Sequence, residues 1–169
     1  KNIANKNSTK LVVTGSPKHE RYQYELDKWK LESKERNKNI KSILFIGQPL
    51  FIEGVRENFQ HFINQIKKIS ISCLINFRIH PDDRINHKFY YDKLSELNHD
   101  FKILNNDKCV EVDILNNDIL ITCFSTAGID HNYIQFFSNK KIGELIYLNI
   151  GKKILNHLEN IVGTVSIPY

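Results

Sequence analysis

The sequence predicts an α/β fold, a three-layer sandwich with a mainly parallel sheet, and three observations predict it. Short apolar runs recur at Ser42 to Gly47 (SILFIG), Ile71 to Ile75 and Asp118 to Phe124 (DILITCF). Between them lie segments with apolar residues at helical spacing, clearest in Val55, Phe59, Phe62, Ile63, Ile66 and Ile69. Runs apolar throughout suit strands buried on both faces, and strands alternating with helices favour a parallel sheet covered on both sides. At 169 residues the chain is sized for one domain with a real core.

Taken in order, Lys10 to Gly15 (KLVVTG) reads as a strand stopped by Gly-Ser-Pro. Tyr22, Leu26 and Trp29 then recur at helical spacing, and the run from Lys28 to Lys41 is mostly charged and polar, as an exposed helix end and linker would be. Trp29 and the segment after it are expected at the domain's margin, with Lys34 to Asn39 in solvent. Beyond the strand at 42–47 and the helix at 55–69, a strand leads to His80 and a helix carries Tyr90, Leu94 and Leu97. Phe101 to Leu104 is a short strand, and Ile129, Tyr133 and Phe136 give the helix after Phe124 its inner face. Leu145 to Ile150 is a last strand, and Ile154, Leu155, Leu158 and Ile161 mark a last helix.

Hydrophobic residues at 41% and charged residues at 25% are ordinary for a globular protein. The chain lacks methionine and opens at Lys1, which reads as a piece of a longer protein. A net charge of +5 and a pI near 9.0 invite nucleic acid or anionic lipid as partners. The excess falls in Lys28 to Lys41 and in the Lys140-Lys141 and Lys152-Lys153 pairs, not in one stripe. Abundant Lys, Asn and Ile match a bias toward AT-rich codons, so nucleic-acid binding is not the leading reading. Cys73, Cys109 and Cys123 have no metal-ligand spacing and are odd in number, as reduced thiols in a cytoplasmic chain would be. No stretch is long enough to span a bilayer, and no signal peptide is visible.

Three strand ends carry polar or turn-forming residues: Gly47-Gln48, His80-Pro81 and Ser125-Thr126. In a parallel sheet all three open onto one edge, and ligands of open α/β sheets bind at the carboxyl ends of strands. Proline keeps the preceding His80 extended and itself suits the first turn of a helical segment after the strand. His80 can simply close a strand. It can also donate a hydrogen bond to a phosphate oxygen or a proton to a leaving group. Ser125 and Thr126 suit a helix N-cap, and the same hydroxyls with the helix's free N–H groups can hold a phosphate. Gly-Gln-Pro is first of all a turn, although Gln48 can reach a base or sugar. Asp82 and Asp83 are early-helix acids favoured by the dipole, and they must point away from any bound anion.

FIGQPL at Phe45 to Leu50, RIHPDD at Arg78 to Asp83 and CFSTAG at Cys123 to Gly128 together resemble the C-terminal half of a GT-B glycosyltransferase. The resemblance is to bacterial sialyltransferases, including the lipooligosaccharide and polysialic acid enzymes, with their His-Pro and Ser-Ser or Ser-Thr motifs. It covers Val12 to Phe137, and the opening VVTGSPKHERY is similar to the segment by which such enzymes enter their second Rossmann-like domain. On this basis residues 1–41 are an inter-domain segment with a first strand and helix, and 42–169 a Rossmann-like domain that binds the nucleotide sugar.

The resemblance implies that His80 contacts the donor phosphate and assists departure of CMP, acting as the catalytic residue. Pro81 would fix its backbone, Ser125 and Thr126 would hold the same phosphate, and Gly47 and Gln48 would lie by the nucleotide. It implies CMP-sialic acid as donor, a surface glycan (lipopolysaccharide or capsule) as acceptor, and neither metal nor other cofactor. The general base belongs to an N-terminal GT-B domain, so this piece alone would bind donor without turning it over. Further expected partners are that domain, the inner face of the cell membrane and a second copy of the chain. Relatives using other donors often place a ribose-binding glutamate in the helix after the serine motif. Here that helix reads AGIDHNYIQFF, with Asp130 and no glutamate, which favours CMP over UDP. CDP-glycerol glycerophosphotransferases and Kdo transferases carry similar motifs and are alternatives. So is a non-catalytic α/β module binding nucleotide or nucleic acid, against which counts the inward helical position of most aromatics, since base stacking needs exposed ones.

Overall fold

The computed structural model describes residues 17–32, 41–104, 106–139 and 141–148. The expected strand at 10–15, the polar run at 34–39, residues 149–150 of the expected last strand and the expected helix at 154–161 lie outside them. Helix α1 (Pro17–Glu32) precedes strand β1 (Lys41–Ile46), helix α2 (Val55–Ile66) and strand β2 (Cys73–Arg78). A 3-10 turn (Pro81–Asn86) runs into α3 (His87–Leu94), followed by β3 (Asp100–Leu104), α4 (Val110–Leu115), β4 (Ile119–Thr122), α5 (Ala127–Ser138) and β5 (Glu144–Tyr147). The five strands form one sheet in the order β3-β2-β1-β4-β5, every pair parallel. The sandwich expected from the sequence is therefore the fold observed.

Strand pleating divides the core in two, because successive side chains point to opposite faces. On one face Ile43, Phe45, Ile75 and Phe77 meet Phe59, Phe62 and Ile63 of α2 and Tyr90 and Leu94 of α3. On the other, Leu44, Ile46 and Leu120 meet Tyr22 and Leu26 of α1, Ile114 and Leu115 of α4 and Ile134 of α5. Trp29 is half-buried against this second cluster.

Several boundaries differ from expectation. Strand β2 starts at Cys73; Ile71, expected within it, is exposed, as is Ile69 beyond the end of α2. Helix α3 stops at Leu94, and Leu97 is buried from the turn that follows. Helix α4 was not expected, being too short for a periodic signal. The largest correction is the phase of α5. Ile129, Tyr133 and Phe136 are exposed, while Ala127, Gly128, Asp130, His131, Ile134 and Ser138 face inward. Lys18 Nζ donates to Asp130 Oδ1 at 2.6 Å, and the Tyr22 hydroxyl donates to the same oxygen, so α1 neutralises a carboxylate that hydropathy places outside. Small residues bring the helix close: a Cβ on Gly128 would lie 2.1 Å from Tyr147 Oη. Tyr24, Phe51 and Tyr91 are exposed as well, so the expected inward placement of aromatics fails at those positions.

His131 is 5% exposed, and burial pushes its imidazole below the usual 6.5, with the Asn132 side chain, the Gly143 backbone and the Glu144 charge pulling back. The unfolded chain then binds this proton more readily, so stability holds above pH 6.5 and falls as pH drops toward the lowered value, by up to about 1.4 kcal/mol per pH unit. Thermal melts of wild type and His131→Gln between pH 7.5 and 5.5 check this. The variant is expected to lose less stability across the interval than wild type.

Candidate functional site

The register brings the three polar strand ends level. Ile46, the last residue of β1, pairs with Arg78 on β2 and Thr122 on β4. The Gly47 N–H then donates to the Arg78 carbonyl at 2.9 Å, extending the ladder by one residue. Gly47-Gln48, Ile79-His80 and Cys123 to Ser125 therefore all leave from the carboxyl edge. Since β1 lies between β2 and β4, the chains bearing His80 and Ser125 are about 10 Å apart, two strand spacings. A ligand held by both must lie across the end of β1.

His80 has the extended backbone expected before proline (φ −61°, ψ 140°). Its Nδ1 accepts the Asp82 N–H at 3.2 Å. In the neutral ring this leaves the proton on Nε2, a donor on a side chain that is 33% exposed. Pro81 occupies the first position of the 3-10 turn. The two following acids part company. Asp83 is buried, accepting from the Tyr90 hydroxyl and from Asn86 Nδ2 at 2.6 Å. Burial, and then the Asp83 carboxylate, push the Tyr90 phenol far above its usual pKa, so it stays a donor. Asp82 stays at the edge, its side chain 71% exposed, where water screens its charge.

At the β4 end, Ser125 Oγ accepts the Ala127 N–H at 3.2 Å and the Ser125 carbonyl accepts the Gly128 N–H at 3.1 Å. The capping role is thus realised at Ser125, leaving its hydroxyl proton free to be donated. Thr126 is exposed, and its side chain makes no capping bond. Helix α5 starts here, so its positive dipole end lies at the same edge.

Gln48 is buried, and its Nε2 donates to the Gly47 carbonyl at 3.1 Å, so the amide is turned onto its own loop. Gly47 permits a close approach of β1 to β2: a Cβ there would lie 3.1 Å from Phe77 Cζ and 3.3 Å from the Arg78 carbonyl. In this topology the crevice is expected between β1 and β4, where successive strands switch from one side of β1 to the other. That position is filled by Phe45, Phe59, Tyr90 and Cys123. Burial pushes the Cys123 thiol up to about 11, so it is inert there.

Open space lies instead next to Ile79, the residue before His80. A hollow of about 370 Å³ at the ends of β2 and β3 has Ile79, Ile103 and Leu104 as apolar walls and Arg84, His87, Asn106 and Asp107 as polar ones. Asn106 Nδ2 donates to the Ile79 carbonyl at 3.0 Å, tying the loop after β3 to the residue before His80. Apolar walls that accept a flat ring, with a few fixed polar groups, are the usual make-up of a small-molecule site.

No family model matches the sequence, and no curated protein matches it. Among solved structures the chain is similar to the beta Kdo 2,4 transferase KpsC of Thermosulfurimonas dismutans, at 12% identity and a TM-score of 0.43, over 79% of this chain and 45% of that one. The chain spans less than half the length of that protein.

Sequence reading missed the hollow and the four polar residues around it. The one available signal was the polar run Asn105-Asn106-Asp107, which follows an apolar strand as Gln48 and His80 follow theirs. Among the described residues no three His, Cys, Asp or Glu side chains gather as a metal site. No described helix is long and apolar enough to cross a membrane.

Proposed function

We propose that this edge binds the nucleotide of a CMP-linked sugar, and that the chain is the donor-binding part of an inverting, metal-independent sialyltransferase acting on a surface glycan at the inner face of the cell membrane. The observation that carries the reading is the adjacency of β2, β1 and β4, all parallel, which sets His80, Gly47-Gln48 and Ser125-Thr126 on one edge beside an open hollow. In this reading His80 Nε2–H and the Ser125 hydroxyl donate to the donor's phosphate, with Thr126 and the α5 N-terminus completing its surroundings. Gly47 and Gln48 form the turn beneath it and Pro81 holds His80 extended. The nucleoside half lies in the hollow. As the glycosidic bond breaks, negative charge grows on the phosphate, and a donor already aimed there stabilises the transition state more than the ground state. The acceptor hydroxyl is activated by a base on another domain.

Asp130 counts against the ribose-binding arrangement of UDP-sugar enzymes. It stands in the helix where related UDP-sugar enzymes carry a ribose-binding glutamate, and here it is buried and bonded to Lys18 and Tyr22.

Calorimetric titration of CMP and UMP tests the reading. Wild type is expected to prefer CMP. Ser125→Ala is expected to bind CMP several-fold more weakly and to lose about 1 kcal/mol of stability through the missing cap. A clear preference for UMP, or weak affinity equal in wild type and variants, overturns it. Kdo transfer and glycerophosphate transfer use the same phosphate chemistry, and product analysis with CMP-sialic acid, CMP-Kdo and CDP-glycerol separates them from sialyl transfer.

A further inference from the structure

Resting on the donor-site reading, the geometry points to Arg78 as a positioning residue: it clamps the wall of the hollow against the strand that presents His80, so that affinity for the nucleoside half of the donor depends on it. Arg78 is the last residue of β2 and its side chain is 13% exposed. It is not among the side chains that line the hollow. Its Nη1 pairs with Asp113 Oδ2 on α4, and its Nη2 donates to the Lys108 carbonyl at 2.8 Å.

Lys108 comes directly after Asn106 and Asp107, two of the polar groups of the hollow. The strand end therefore grips the loop at two places, through Arg78 at Lys108 and through the Asn106 bond to the Ile79 carbonyl. A row beneath secures the far end of the grip. Asn76 Nδ2 donates to Asn117 Oδ1 at 2.7 Å, and Asn117 Nδ2 donates to the Asp113 carbonyl at 2.8 Å. Burial raises the Asp113 pKa, and the Arg78 guanidinium pulls against that rise.

Two acceptors in different directions require a planar fork, which arginine has and lysine lacks. A loop held in place before the ligand arrives spares the ordering cost at binding. The consequence is specific. Loss of Arg78 acts on whatever fills the hollow and not on the phosphate contact, whereas loss of His80 does the reverse.

NMR titration of cytidine and of CMP into wild type, Arg78→Met, Arg78→Lys and His80→Ala tests this, each variant first shown by thermal unfolding to be folded at the titration temperature. Arg78→Met is expected to weaken cytidine and CMP by the same factor, about tenfold, and His80→Ala to weaken CMP alone. Arg78→Lys, which can satisfy one acceptor, is expected to fall between wild type and Arg78→Met on both ligands. It also serves if the methionine variant does not fold. A folded Arg78 variant that binds both ligands like wild type overturns the proposal. So does a loss confined to CMP, which would place Arg78 at the phosphate. Failure of wild type to bind either ligand sinks the donor-site reading, and this inference with it.

Discussion

Replacing His80 with alanine is expected to weaken CMP binding about ten- to a hundredfold, the loss of a charge-assisted hydrogen bond worth roughly 1.5–3 kcal/mol. Under the proposed function, transfer from CMP-sialic acid is expected to fall further, because the same bond strengthens as the phosphate leaves. The geometry behind this is the acceptance of the Asp82 N–H by Nδ1, which leaves Nε2 as the donor. Alanine also removes that turn-capping acceptor, so His80→Asn is the informative companion: a short side-chain acceptor for the Asp82 N–H remains while the outward donor is lost. Calorimetry with CMP is expected to give similarly weak binding for both variants. CMP affinity in His80→Asn matching wild type would show that the turn, and not the imidazole, matters.

Phe77→Ala is expected to cost about 3–5 kcal/mol of stability, roughly a fifth or more of the 5–15 kcal/mol that a typical domain possesses. Phe77 is fully buried, and its ring lies 4.6 Å from Tyr90, 5.3 Å from Phe59 and 5.6 Å from Phe45, centroid to centroid. Phe45, Phe59 and Tyr90 around it are themselves buried, so filling the cavity would require these packed rings to shift. The ring also backs Gly47 and, through Tyr90, the bond that keeps Asp83 turned away from the edge. Urea unfolding is expected to show a lower midpoint with an unchanged slope. A loss below about 1 kcal/mol would mean that the aromatic cluster repacks.

The features legible in the sequence are those carried by local chemistry. Apolar runs of strand length, breaks at Gly47, Pro81 and Ser125, and the spacing of Val55 through Ile66 each depend on neighbours within a few positions. They lead to the parallel sheet and to the sharing of one edge by His80, Gln48 and Ser125. The caps at His80 and Ser125 belong to the same class, since each hydrogen bond spans two residues.

Only the tertiary structure decided the rest, because the deciding partners are far apart in the chain. Helix α5 turns Ile129, Tyr133 and Phe136 outward because Lys18 and Tyr22, more than a hundred residues earlier, neutralise Asp130 and let it be buried. The crevice between β1 and β4 is closed by Phe59 and Tyr90 arriving from α2 and α3. The loop beside the hollow is tied to the end of β2 by Arg78 and Asn106, with Asp113 pairing the guanidinium from α4, and no periodicity records the meeting of these polar groups. Hydropathy ranks a charged residue by its cost in isolation, and a distant partner that cancels that cost reverses the ranking.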